Sequence, residues 1–137
     1  MSKGFKKVII SVLCLLVILG LFFGGRLLVD RARYRQIISE IEIRTPNLTN
    51  IQDGTFTGYF DAILVSANVD VTVEEHRVTD IVINNHHHGR DSAVAAETII
   101  VDVVEYQSLE VDTVSGATNS SLVILKAIQL ALGSGME

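Results

Sequence analysis

Hydroxyl and amide side chains crowd one short stretch of this chain: Ser115, Thr118, Asn119, Ser120 and Ser121, with Gly116 among them, just before an apolar run from Leu122 to Leu132. At a helix start such groups do one of two things. They cap the orphan N–H groups of the first turn, or the N–H groups stay free and the positive end of the helix dipole receives an anion such as phosphate. A second polar group is Asn84-Asn85-His86-His87-His88-Gly89-Arg90. Three consecutive histidines invite a metal reading, but adjacent side chains diverge on a strand or loop and cannot all ligate one ion from there. No cysteine in the soluble part completes a zinc set, so no metal is expected and the run reads as a polar loop. The lone cysteine, Cys14, lies in an apolar run far from both groups and forms no intrachain disulfide.

The elements that must position these residues follow from periodicity. Leu122 to Leu132 is apolar nearly all round, broken only by Lys126 and Gln129, which is the pattern of a buried helix. Before it, Ala96, Ile99, Ile100, Val103 and Val104 recur at helical spacing, with Glu97, Asp102 and Glu105 off that stripe. The spacing predicts an amphipathic helix over 93–107, while the β-branched content leaves a strand open. Val69, Val71 and Val73 alternate with Asp70, Thr72 and Glu74, a half-buried strand. Glu75-His76-Arg77 turns the chain and Val78 to Asn84 returns as its antiparallel partner. Asp53-Gly54 is a turn signal ahead of a further strand over 55–60. The fold class expected is α+β, with an antiparallel sheet around the 69–84 hairpin and helices near 93–107 and 120–132.

The first third of the chain is different. Val8 to Gly25 is an uncharged run behind Lys3, Lys6 and Lys7; as a helix it spans about 27 Å, close to the thickness of a hydrocarbon core. A cleaved signal peptide competes with an uncleaved anchor, but a small-residue cleavage site is not evident, so a transmembrane anchor over 8–25 is expected. Arg26 can snorkel to the interface. The helical pattern continues toward Ile43 and ends at Thr45-Pro46-Asn47. Charge follows the same division: residues 1–35 carry seven basic side chains against Asp30, and the remaining residues four basic against fifteen acidic. So acidic a domain lacks the footprint for nucleic acid, whereas the basic third suits a membrane surface. Lysines on one side of the apolar run and arginines on the other leave orientation undecided by charge. The expected organisation is a tip and anchor over 1–29, a juxtamembrane helix and linker over 30–52, and a domain over 53–133.

Asp112-Thr113-Val114-Ser115-Gly116-Ala117-Thr118, leading into an apolar helix, resembles the flavinylation motif of the FMN-binding domain family. The likeness covers roughly Asp53 to Leu132, including the Asp53-Gly54-aromatic opening and the Gln107-Ser108-Leu109 run. Small membrane-anchored flavoproteins and the flavin-carrying subunits of sodium-pumping quinone reductases share this domain. The resemblance implies FMN as cofactor, joined through its phosphate to the hydroxyl of Thr118 by an FAD:protein FMN transferase. Asp112 and Ser115 then shape the loop or assist recognition by the transferase, Gly116 and Ala117 leave it room to approach the hydroxyl, and the resemblance implies that His88 and Arg90 line the cofactor, Arg90 being suited to a phosphate oxygen. Because the transferases generally act outside the cytoplasm, it also implies an exported domain on a single-pass anchor in the cell membrane, exchanging electrons with redox partners there. This chain has Asn119 and Ser120 where the family often has an aromatic residue and threonine, and lacks the usual hairpin glycine. Three functions follow: an electron carrier with covalent FMN, an accessory domain of the same fold without flavin, and a stand-alone reductase. The last finds least support, since no acid–base or nucleophile constellation accompanies Thr118.

Overall fold

The valine alternation forms the middle of the sheet. In the computed structural model, which describes residues 3–88 and 91–136, the elements in chain order are helix α1 (Lys3–Glu40), a 3-10 turn (Leu48–Asn50), strands β1 (Gly54–Asp61), β2 (Ser66–Glu74) and β3 (Arg77–His87), a 3-10 segment (Asp91–Thr98), and helices α2 (Ile99–Tyr106) and α3 (Thr118–Ser134). The strands make one antiparallel sheet in the order β1-β2-β3, so the expected α+β mix of a long apolar helix, an antiparallel sheet and further helices is what the chain adopts. Two compact units result, Met1–Arg33 and Tyr34–Glu137.

The first unit is the part of α1 up to Arg33. The 37 residues Gly4–Glu40 are long and apolar enough to cross a membrane, and the large apolar side chains from Val8 to Val29 are exposed all round it. An apolar surface of that kind needs lipid or protein around it. At 1.5 Å per residue α1 is about 57 Å long, nearly twice a hydrocarbon core, so its later turns extend past any bilayer that the apolar half spans. Cys14 is free and exposed on it.

In the second unit, the sheet buries one face and wets the other. Ala67, Val69, Val71 and Val73 of β2 are fully buried, while Thr55 and Thr57 of β1 stand on the outer face with Asp70 and Thr72 opposite. Thr57 donates to Asp70 at 2.6 Å, which with Asn84 holds that carboxyl below its ordinary pKa. One wet face is usual for an antiparallel sheet. Against the dry face lies α3, with Val123, Ile124, Leu125, Ala127, Ile128, Ala131 and Leu132 buried, as its all-apolar pattern predicts. The two exceptions have partners: Lys126 donates to the Glu42 carbonyl at 3.3 Å and Gln129 accepts the Arg44 N–H at 3.4 Å.

Contact between α3 and β1 is set by glycine. A Cβ on Gly58 would overlap the Ala127 carbonyl oxygen and fall 2.7 Å from the Ala131 nitrogen and 2.9 Å from its Cβ. Farther along, Gly135 sits under the Phe56 ring. Rising numbers on β1 thus meet falling numbers on α3: the two run antiparallel. Thr118 is nine residues, about 13 Å, before Ala127, and Asp61 is about 10 Å beyond Gly58. The start of α3 therefore lies at the end of the sheet where β1 finishes, β2 begins and β3 finishes.

Two expectations are corrected. Helix α1 stops at Glu40 rather than near Ile43, because 41–44 is extended: Ile41 and Ile43 both turn to the core and Glu42 and Arg44 pair outside at 2.8 Å. On a helix, residues two apart would diverge. The expected 93–107 helix is two pieces, a 3-10 segment and α2, although Ala96, Ile99 and Val103 are buried as the stripe predicts. Glu97, placed off that stripe by sequence, bonds a buried histidine, as described below. Helix α3 begins at Thr118, within two residues of its expected start.

The β2–β3 turn has Glu75 and His76 at φ 50° and 61°, both in the left-handed region that a two-residue hairpin turn requires and that Asn-Gly ordinarily supplies. A non-glycine residue costs roughly 1–2 kcal/mol there. Replacing Glu75-His76 by Asn-Gly should raise stability by about 1 kcal/mol, read as a higher urea midpoint at unchanged slope; a lower midpoint would contradict this turn geometry.

Candidate functional site

Val114 to Ala117 is a tight turn. Ala117 N–H donates to the Val114 carbonyl at 2.9 Å, and Gly116 has φ +78°, the value a type II turn demands at its third residue. A Cβ on Gly116 would have nothing within 4 Å, so conformation rather than space selects glycine, and the space outside the turn is open. Buried Ser121 fastens the turn to the helix: its Oγ accepts the Val114 N–H at 3.1 Å and donates to the Ala117 carbonyl at 3.0 Å. Buried Ser120 faces inward too.

What remains outside is Thr118, the first residue of α3, with Ser115 and Asn119 also exposed. Position 117, an alanine, precedes the helix and no side chain caps it; the first turn contains no acidic residue. Capping, the commoner use of such a cluster, is therefore not the use here. The N–H groups of the first turn keep their donors and the positive helix end keeps its field, worth about 0.3–1 kcal/mol to an adjacent anion. Among the described residues the Thr118 hydroxyl has no hydrogen-bond partner. These features fit a phosphate-bearing group beside Thr118: an accessible hydroxyl, free amide donors and a glycine two residues before it.

One of the sequence-derived positions reaches the same end of the sheet by another route. β3 finishes there, and His88 follows it directly. Gly89 and Arg90 lie outside the described residues. Asp112 is exposed on the loop before the turn, and Ala117 is buried. The structure thus gathers 115–118 into one turn and helix start, and puts His88 at that end of the sheet.

Sequence reasoning missed the role of His86. Its side chain is 1% exposed, and its Nδ1 lies 3.1 Å from a carboxylate oxygen of Glu97. Burial lowers the pKa, and the bond to Glu97 partly opposes this. Strict alternation from Val78 gives no hint that His86 shares a face with Ile81 and Ile83. Two register shifts on β3, between Val73 and Thr72 and between Val69 and Asn68 of its partner, re-phase the strand so that Val78, then Ile81 and Ile83, then His86 turn inward. β-Bulges of this kind re-aim side chains.

Gln107 was also legible only as part of a motif. Its side-chain amide accepts the Val78 N–H and donates to the Val78 carbonyl, both at 2.8 Å, and to the Val104 carbonyl at 2.6 Å. It occupies the free edge of β3 as a neighbouring strand would, and so anchors the segment that leads into the turn. Thr45 secures the next residues, accepting the Leu109 N–H at 2.9 Å.

Of the four aromatic residues of the domain, Phe56 and Phe60 pack against the core, while Tyr59 and Tyr106 are exposed. A shallow recess of about 690 Å³ lies at the hairpin end of the sheet, lined in part by Asp53, Glu74, Glu75 and Arg77; its open, mainly acidic walls suit no phosphate, and it is away from Thr118.

The family model described as FMN-binding domain matches residues 65–133, which takes in β2, β3, α2, the 115–118 turn and nearly all of α3. No curated protein and no solved structure gives a match. The chain belongs to the FMN-binding domain family, and FMN is its cofactor.

Proposed function

We propose that this protein is a membrane-anchored electron carrier whose FMN is joined by a phosphoester to the Thr118 hydroxyl. The observation that carries this reading is an exposed, unpartnered hydroxyl on the first residue of an uncapped helix, behind a glycine turn. Thr118 holds the phosphate; the free N–H groups of the first turn of α3 stabilise its remaining charge; Ser115, Gly116, Ala117 and Asp112 give the loop its shape and present it to an FAD:protein FMN transferase. His88 and Arg90 complete the surroundings of the cofactor. FMN, when bound, supplies one- and two-electron chemistry, and the protein contributes position and environment. Covalent linkage suits a domain on the extracytoplasmic side, where a dissociable flavin would be lost to the medium.

The lipid bilayer is engaged through residues 8–25, and electrons pass to and from redox partners at or in the membrane. The domain acts as a carrier rather than a stand-alone catalyst, because no acid–base group accompanies Thr118 on the turn. The chief competitor is an accessory domain of the same fold that receives no flavin. Flavin fluorescence of the denatured full chain in a gel, after co-expression with a transferase, separates the two: a fluorescent band is expected, and a dark one would favour the accessory domain.

A further inference from the structure

Among the described residues, two buried ring nitrogens have no hydrogen-bond partner. His86 and His88 sit two residues apart where β3 ends, with ring centroids 4.9 Å apart and planes tilted by 52°. His86 Nε2 and His88 Nδ1 are both buried without a hydrogen bond. A buried polar atom left unsatisfied costs about 1–3 kcal/mol, so two in adjacent rings call for a ligand.

The chemistry of that ligand follows from Glu97. A carboxylate only accepts, so the His86 nitrogen facing it, Nδ1, carries the proton and Nε2 keeps its lone pair. The partner of Nε2 must then be a donor or a Lewis acid. Neither orphan nitrogen meets solvent, and one ion seated between the rings would satisfy both at once. With metal–nitrogen bonds of about 2.0–2.1 Å, rings 4.9 Å apart subtend about 100° at a shared ion, near the tetrahedral angle. Glu97 behind His86 is the carboxylate that commonly orients a ligating imidazole.

We propose that His86 and His88 form a binding site for a divalent transition metal of the zinc type, with Glu97 as the positioning residue behind His86. Imidazole donors favour zinc, copper and nickel over magnesium and calcium. The three-histidine run is thus read two at a time: His87 points to the other side of β3 and is exposed. Two protein nitrogens leave the other positions to water or small ligands, so the affinity falls below that of a four-ligand structural site. His88 also stands in the proposed surroundings of the flavin, so the site is tested on the flavin-free chain.

Zinc titration of the flavin-free, metal-stripped full chain in detergent micelles, purified without a histidine tag, tests the proposal by calorimetry and by competition with a chromophoric chelator. One equivalent should bind. His88→Ala should weaken binding at least tenfold, and Glu97→Gln by about 10–100-fold. His87→Ala should leave it unchanged. Because His86→Ala can disturb the core, His86→Gln with a circular-dichroism check of folding accompanies it. Absence of stoichiometric binding would overturn the site, as would binding lost in His87→Ala but kept in His88→Ala. A shared proton between the rings, seen as imidazole NMR signals that respond to pH and not to zinc, would overturn it equally.

Discussion

Thr118→Ala should abolish flavin attachment completely. The wild-type chain, co-expressed with a matching transferase in the presence of FAD, should gain the mass of one FMN less water; the variant should gain nothing. The fold should scarcely notice. The Thr118 hydroxyl makes no hydrogen bond among the described residues, and no side chain caps α3, so the loss belongs to the class of exposed surface changes, within about 0.5 kcal/mol. Thr118→Ser keeps an oxygen at the same point and should retain part of the labelling. Ser120→Ala should retain most of it, since that side chain is buried. Ser121→Ala is the informative control: it removes the bonds to Val114 and Ala117, so it should loosen the turn and slow labelling while leaving the attachment atom in place. If the mass gain survives Thr118→Ala and vanishes in Ser115→Ala, the wrong hydroxyl has been assigned.

Gly58→Ala should be the most damaging single methyl in the domain. The added carbon would overlap backbone of α3 at Ala127 and Ala131, which cannot rotate away as a side-chain tip could. Helix and strand must separate, at about 2–3 kcal/mol, which for a domain of this size lowers the melting temperature by roughly 10–20 °C. Gly133→Ala on the same helix meets nothing within 4 Å and should be neutral or slightly stabilising, as alanine is the better helix former. Thermal melts of the two variants of the full chain in detergent decide the matter. Equal midpoints would mean that α3 does not pack on β1 as described. Since α3 carries Thr118 at its start, a folded but loosened Gly58→Ala protein should also label poorly.

Much of this was readable without coordinates. Local chemistry and period determined the anchor-like run of residues 8–25, the buried character of 122–132, the β2–β3 hairpin and the α+β class, because each depends on which side chains recur every two or every 3.6 residues. The motif ending in Thr118 pointed to the cofactor from residue order alone. Tertiary structure decided the rest, wherever contacts distant in sequence set a residue's role. Five polar side chains at the start of α3 look interchangeable in sequence, yet packing turns Ser120 and Ser121 inward and leaves Thr118 outside. The direction of α3 against β1, fixed by the missing side chain of Gly58, brings Thr118 and His88 to one end of the sheet. And the bulges of β3, which no alternation pattern announces, put Ile81 and Ile83 on the inward face with Val78 and His86, where His86 meets Glu97 from a segment eleven residues away, because register is chosen by the pairing partner and not by the strand itself.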